Sequence, residues 1–226
     1  MYNEFVTKHY ERKWPCTTNS LYNKKTLIGR LYKYFSAYFE TFSAPSAEML
    51  FLLILSTLAL ESAHSIRFFY RHFLSGITKK SLNAFYYACS YAKVDCSGFM
   101  NVTAKIALHL IPESLKSQPV FIRFAGIEIS YYEQKTFWSL CSYMVRSCKG
   151  IEMMINLINV AYCAMKLLPY QDESFSDFRD KNVQDFRFAL SEGIRQQVFF
   201  ATLVQNIETQ IKSSSIINAL KQAIVK

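Results

Sequence analysis

The chain has 226 residues, of which 51% are hydrophobic and 16% aromatic, so it can bury a sizeable core and is not compositionally disordered. Only 6 glycines and 5 prolines interrupt it, which favours helices over a turn-rich β-sandwich. A formal net charge of +9 favours an anionic partner, either nucleic acid or an acidic membrane surface, without indicating specificity.

The six cysteines and four histidines do not have the spacing of zinc ligands. Cys89 and Cys96 lie seven residues apart, as do Cys141 and Cys148, which is two turns on one helix face. We therefore expect reduced thiols that pack as small apolar side chains in a cytoplasmic protein.

Residues 1–13 are polar and charged, so they do not indicate a secretory signal.

Two helices are predicted first in chain order. The first has an apolar stripe at helical spacing, formed by Leu27, Leu31, Phe35 and Phe39. The second is predicted to start at Pro45-Ser46, with Ser46 as N-cap, and to run through the apolar residues 49–60. Because that run is much shorter than the ~20 apolar residues of a membrane span, we expect a buried core helix.

Residues 64–93 have the pattern of a helix, a short turn and a second helix. The turn, SGITKK, contains Gly76, and Ser81 is the expected N-cap of the second helix. The pattern is compatible with a helix-turn-helix. No acidic residue occurs between Glu61 and Asp95, a stretch that contains five cations: Arg67, Arg71, Lys79, Lys80 and Lys93. Two interpretations are open, a face that lies along DNA phosphates or a helical hairpin with a solvated basic face.

The second half of the chain is also mostly helical in pattern. A helix over 99–111 ends near Pro112, and residues 118–124 predict one buried strand without a partner strand nearby. A long helical pattern then leads towards Arg146. An apolar helix over 150–168 is expected to end at Pro169, and its internal charges favour a core helix over a membrane span. An acidic loop (171–180) and helices over 182–211 and 213–226 follow.

Glu128, six intervening residues and Lys135, within IEISYYEQKTFWSL, resemble the C-terminal signature of bacterial DDE-type insertion-sequence transposases of the "IS-four" type. The segment KGIEMMINLINVAYCAMKLLPY resembles the helices that follow that Glu, and residues 46–123 resemble the family's N-terminal helical region and the entry into its first catalytic strand. The resemblance implies an RNase H-like fold, with Glu128 as the third metal-binding acid, Lys135 near the reacting DNA end and Mg²⁺ as cofactor.

The catalytic middle of that family is missing from this sequence. Phe121 and Phe124 stand where the signature has Tyr and Arg, and the six residues between Phe121 and Glu128 include no Asp. Several strands do not fit into so short a gap. Phosphodiester cleavage requires divalent cations held by several carboxylates, so we expect Glu128 to be a non-functional remnant, with no metal site, no cofactor and no strand cleavage.

The sequence therefore predicts a mainly α protein, with a helical DNA-binding region over 1–117 and the residual C-terminal part of a transposase catalytic domain over 118–226. The expected function is that of a truncated, inactive, DNA-associated transposase. Its expected DNA-binding residues are Lys135, Arg67, Arg71, Lys79 and Lys80. The expected partners are DNA, in particular transposon ends, full-length transposase and a second copy of the chain, without a membrane.

The alternative is a helical interaction or membrane-associated protein that has no nucleic-acid role. An intact enzyme of another class is not indicated, because the sequence has no phosphate-binding glycine loop, no serine nucleophile elbow and no histidine-rich metal set. Loss of a catalytic sheet is expected to expose Phe, Ile and Leu side chains that were once covered, and hence to promote self-association.

Overall fold

The structure, a computed structural model, describes residues 25–60, 65–91, 97–116, 134 and 148–211. The described residues are 85% helical and contain no strand, which confirms the prediction of a mainly α protein. They form the helices α1 (Leu27–Phe35), α2 (Ala44–Ala59), α3 (66–77), α4 (Leu82–Ser90), α5 (Ser97–His109), α6 (Cys148–Gln171) and α7 (Val183–Ile211). Short 3₁₀ segments lie at Ser36–Phe39, Glu113–Leu115 and Glu173–Phe178. The predicted strand at 118–124, the helical pattern towards Arg146 and the predicted helix at 213–226 lie outside the described residues.

Helix α2 lies at the centre of the core. Every residue from 49 to 59 is buried, and α6 and α7 pack against the helix. Its two buried hydroxyls donate to carbonyl oxygens of the preceding turn, Ser56 Oγ to Leu52 at 2.7 Å and Thr57 Oγ1 to Ile54 at 2.6 Å. No polar group of these two side chains is therefore left unsatisfied in the core. The prediction of a buried core helix is confirmed.

The start of α2 differs from the prediction. Ser43 is the N-cap and Pro45 lies in the first turn, so Ser46 is inside the helix rather than its cap. Proline is tolerated there because the first N–H groups of a helix have no intrahelical acceptor. The Oγ atoms of Ser43 and Ser46 lie 3.0 Å apart and form a hydrogen bond across this turn.

The rings of Tyr32 and Phe35 on α1 pack against Phe51 of α2, and the 3₁₀ segment that follows α1 packs against α5. Thr26 Oγ1 accepts from the Gly29 N–H at 3.2 Å and caps α1. The predicted stripe is buried at Leu31, Phe35 and Phe39, whereas Leu27 is half-buried at the edge of the core. Burial of these large apolar side chains is the main force that fixes α1 on the core.

Helix α6 extends two residues beyond the predicted end at Pro169. The proline lies so near the C-terminus of the helix that its missing N–H affects only the last turn, and its own carbonyl accepts from Arg179 Nε at 2.9 Å. Among the described helices, α6 alone is long and apolar enough to cross a membrane, and 56% of its most apolar window is buried inside the protein. A buried helix of a protein core has the same length and composition.

Helix α7 joins the ends of two other helices. Ser191 Oγ donates to the Ala59 carbonyl at 2.7 Å, and Arg187 Nη2 donates to the Leu60 carbonyl at 3.0 Å, so α7 closes the C-terminus of α2. Gln197 Oε1 accepts from the Ile28 N–H at 2.9 Å, at the start of α1. These bonds satisfy backbone groups that a helix end leaves without intrahelical partners.

Close approach between α1 and α7 depends on a glycine. A Cβ atom at Gly193 would lie 2.7 Å from Leu27 Cδ2. The start of α1 therefore rests directly on the α7 backbone.

The last turns of α7 carry exposed apolar side chains. Val198 and Ala201 pack towards the core, while the opposite side of the helix is exposed. We define the α7 stripe by its exposed residues: Phe199, Phe200, Leu203, Val204 and Ile207. Five exposed large apolar residues within nine positions form a surface suited to contact with another apolar surface.

Candidate nucleic-acid interface

The predicted helix, turn and helix over 64–93 correspond to α3 and α4. Ser65 Oγ accepts from the Phe68 N–H at 3.1 Å and starts α3, and Ser81 Oγ accepts from the Ala84 N–H at 3.3 Å and starts α4. The predicted cap at Ser81 is confirmed. The predicted break at Gly76 is wrong, because α3 continues to residue 77 and the chain turns at 78–80, where Thr78 is extended. A glycine lowers helix stability without ending a helix.

Helix α3 is not a regular α-helix. It consists of α-helical Ile66–Phe69, a π-helical turn over Tyr70–Leu74 and α-helical Ser75–Ile77. Short π segments are rare and are frequent at functional sites. The segment includes Arg71, one of the predicted DNA-binding residues, and His72, whose ring lies 4.3 Å from that of Phe68 between centroids.

The inner sides of α3 and α4 fix this pair of helices on the core. Phe69 and Leu74 of α3 and Phe85 and Cys89 of α4 are all completely buried. The ring of Tyr70 contacts that of Phe85, with centroids 6.1 Å apart. Helix α4 packs against the first turn of α3 and against α6. The outer faces of both helices are therefore presented to solvent by a well-packed support.

Three of the predicted DNA-binding residues are exposed and available. Arg67 and Arg71 lie on the outer side of α3, and Lys79 lies in the turn. Within the described part of the chain, none of the three side chains forms an ion pair or a hydrogen bond. Their charges are thus free to attract an anion.

The other predicted DNA-binding residues are in different positions. Lys80 forms an ion pair with Glu48 of α2, with Nζ 3.1 Å from Oε2 and only 12% of the glutamate side chain exposed. Sequence proximity did not indicate this partner, because Glu48 precedes Lys80 by 32 positions. Lys135, the signature glutamate Glu128 and Lys93 lie outside the described residues.

The predicted DNA-binding residues do not include the aromatic side chains on the outer face of α4 and at its C-terminus. Tyr86, Tyr87 and Tyr91 are 40%, 65% and 70% exposed, and Asn83 is exposed beside them. The rings of Tyr87 and Tyr91 lie one helical turn apart, with centroids at 5.4 Å and planes inclined by 30°. Phe85 and Cys89 lie about one helical turn apart and are both buried, so Tyr86 and Tyr87 between them face solvent. This spacing could have indicated the exposed tyrosines from the sequence.

The thiols differ in environment. Burial raises the pKa of Cys89 to about 12, so this thiol stays neutral in the folded protein, as predicted for a core cysteine. Burial also raises the pKa of the half-buried Cys163. Cys148 is exposed, so the prediction that this cysteine packs in the core is wrong. Cys96 and Cys141 lie outside the described residues. The described residues contain no group of three or more His, Cys, Asp or Glu side chains that could hold a metal ion.

A separate cleft of about 460 Å³ lies between α1, α5 and the end of α6. Arg30 and Lys33 line it opposite Asp172 and Glu173. The two acids are already engaged, because Asp172 accepts from the Ser174 N–H at 3.0 Å and Glu173 accepts from Arg179 at 2.7 Å. The charges of the cleft are balanced, unlike those of the outer face of α3, so it is less suited to a polyanion.

Comparisons with known proteins give no relative for this chain: no protein-family model, no curated protein and no solved structure matches it. Among the described residues, the basic surface of α3 and the aromatic side chains of α4 are the features that bear on a nucleic-acid partner.

Proposed function

We propose that this chain is a DNA-associated, transposase-derived protein of a mobile element that does not catalyse strand transfer. The observation that carries the proposal is the outer face of α3 and its turn, where Arg67, Arg71 and Lys79 are exposed and have no acidic partner among the described residues. Such cations bind DNA by displacing the counterions condensed on phosphates. The net charge of +9 supports the same class of partner.

The proposed role follows from the resemblance to transposases together with the missing catalytic residues. The sequence between Phe121 and Glu128 has no Asp, so two of the family's three metal-binding acids have no counterpart there. A cytoplasmic protein of this kind would occupy transposon ends without cutting them, or pair with a full-length transposase. Either activity makes it a competitor of the intact enzyme.

Electrostatics sets the expected salt dependence. Lys80 is engaged by Glu48, so we expect three phosphate contacts from this surface rather than four. For duplex DNA each contact contributes about −0.9 to the slope of log K against log salt concentration, which gives about −3 for Arg67, Arg71 and Lys79 together. Other basic segments of the chain would make the measured slope steeper.

A second candidate function is that of a helical interaction protein with no nucleic-acid role. The α7 stripe favours it, because its exposed apolar side chains, Phe199 at 62% and Phe200 at 59%, suit a protein partner better than a polyanion. The two functions differ in what disrupts them, since salt weakens phosphate contacts and strengthens apolar ones.

Fluorescence anisotropy tests the proposal. The protein is titrated with a labelled duplex from the inverted repeats that flank its gene and with a scrambled duplex, each at about 50 and 200 mM salt. We compare Arg67→Ala/Arg71→Ala with the control Lys105→Ala/Lys149→Ala, which removes the same charge from exposed positions on α5 and α6.

We expect tighter binding to the repeat, and a slope whose magnitude falls by about 2 in the Arg67/Arg71 variant but not in the control. An equal fall in the slope for both double variants would show that binding depends on the net charge of the protein and not on this surface. Absence of binding to either duplex at low salt would remove the DNA-associated function.

A further inference from the structure

The outer face of α4 is aromatic rather than polar. Its exposed side chains include Tyr86, Tyr87 and Tyr91, and Asn83 is the one exposed amide on this helix. A helix that reads duplex DNA in the major groove presents side chains such as Arg, Asn and Gln, which form bidentate hydrogen bonds with base edges. In an intact duplex the faces of the bases are covered by their neighbours, so tyrosine rings find no base face to contact.

The two most exposed tyrosines lie together. Tyr87 and Tyr91 are 65% and 70% exposed, with ring centroids 5.4 Å apart. Tyr87 lies on α4 and Tyr91 is the C-cap residue that follows the helix, while the buried residues Phe85 and Cys89 hold the helix in place. A rigid support and exposed rings are the features of a platform on which unpaired bases stack.

Exposed cations lie on the helix that packs against α4 and in the connection between the two helices. Helix α4 packs against Ile66–Phe69, the turn of α3 that carries the exposed Arg67, and Arg71 follows one turn later. The connection between the two helices adds Lys79. Proteins that bind single strands combine such a positively charged track for the backbone with aromatic rings for the bases.

We propose that the surface of α3 and α4 binds single-stranded DNA, with unpaired bases stacked on Tyr87 and Tyr91 and phosphates held by Arg67, Arg71 and Lys79. This inference rests on the proposed DNA-associated function and adds a second substrate for the same surface, DNA whose bases are unpaired. Stacking on an aromatic ring accepts any base, so the binding has little sequence preference.

The test is an anisotropy titration with fluorescein-labelled oligothymidylate of about 16 nucleotides and with a blunt dA·dT duplex of the same length. Four proteins are compared: the native chain, Tyr87→Ala/Tyr91→Ala, Tyr87→Phe/Tyr91→Phe, and the control Phe199→Ala, which removes a ring that is 62% exposed on α7. Circular dichroism melting confirms that each variant is folded.

We expect the native chain to bind the single strand more tightly than the duplex. The alanine variant should bind the single strand roughly 5- to 150-fold more weakly per lost stacking contact, the phenylalanine variant should bind nearly normally because it keeps both rings, and Phe199→Ala should have no effect. Duplex binding should change little in all of them.

Binding to the duplex that equals or exceeds binding to the single strand, with no effect of the tyrosine substitutions, would overturn the inference. The proposed function would survive that result if duplex binding still depended on Arg67 and Arg71. An alanine variant that loses duplex and single-strand binding equally would also overturn the stacking role. Failure to bind the single strand at all would also overturn the inference, whereas the proposed function is decided separately by the titration with the repeat duplex.

Discussion

Replacement of Ser191 by alanine tests the contact through which α7 closes the C-terminus of α2. The Ser191 hydroxyl is buried and donates to the Ala59 carbonyl at 2.7 Å. Ser191→Ala removes this donor and leaves the carbonyl with one partner fewer in a dry environment. The substitution does not remove a large apolar group, so the loss of unfolding free energy reflects the hydrogen bond and not a new cavity.

The expected loss follows from two opposing effects. Loss of a buried hydrogen-bond partner costs about 1–3 kcal/mol. Alanine is the better helix former, which returns about 0.5 kcal/mol in the middle of α7. We therefore expect the free energy of unfolding to fall by about 0.5–2.5 kcal/mol.

Urea denaturation followed by circular dichroism measures this loss. For an m-value of about 2 kcal/mol/M, the midpoint should fall by about 0.25–1.25 M, with m unchanged. The control is Ser75→Ala, the same chemical change at an exposed helical position in α3. If the midpoint of Ser191→Ala stays within error of the native value, or if the control shifts equally, the contact between α7 and the end of α2 does not stabilise the fold as we infer.

Two further predictions concern groups at opposite extremes of burial. Burial raises the pKa of Cys89 from 9.0 to about 12, so its contribution to stability is complete below pH 9 and is lost as the pH rises towards 12. Between pH 8 and about pH 10 the native chain should lose about 1.4 kcal/mol more than Cys89→Ala, as measured by urea midpoints at both pH values, and equal losses would contradict the raised pKa. Phe199→Ser/Phe200→Ser should leave the melting temperature unchanged, because both rings are mostly exposed, while it reduces self-association in light scattering at high concentration. A melting temperature lower by several degrees would mean that these rings are covered in the folded protein.

Hydrophobic pattern alone predicted the helices that form the core. The unbroken apolar run of α2 has no polar face, so it had to be buried on all sides, and the stripe of α1 specified which side of that helix packs inward. Helix ends were harder to predict. Pro45 and Pro169 both lie inside helices, because a proline near a helix end removes few backbone hydrogen bonds.

The candidate interface was predicted in part. Runs of basic residues identified α3 and its turn, but the partner of Lys80 depends on tertiary contact with Glu48, which lies far from it in sequence. The π-helical turn of α3 could not be predicted either, because it changes the local helical phase without a distinct residue pattern. Tyr87 and Tyr91 were overlooked because tyrosine serves equally well in a core and on a binding surface.

The bonds between α7 and the end of α2 have a consequence during synthesis. The hydroxyl that bonds the Ala59 carbonyl belongs to Ser191, which is synthesised 132 residues later. The side chain that bonds the start of α1 at Ile28 belongs to Gln197, which is synthesised 169 residues later. At the usual rates of translation, the first of these gaps takes roughly 7 to 26 s to complete. During that time α2, a helix with no polar face, lacks the helix that covers its C-terminus, and its apolar surface is open to association with other apolar segments.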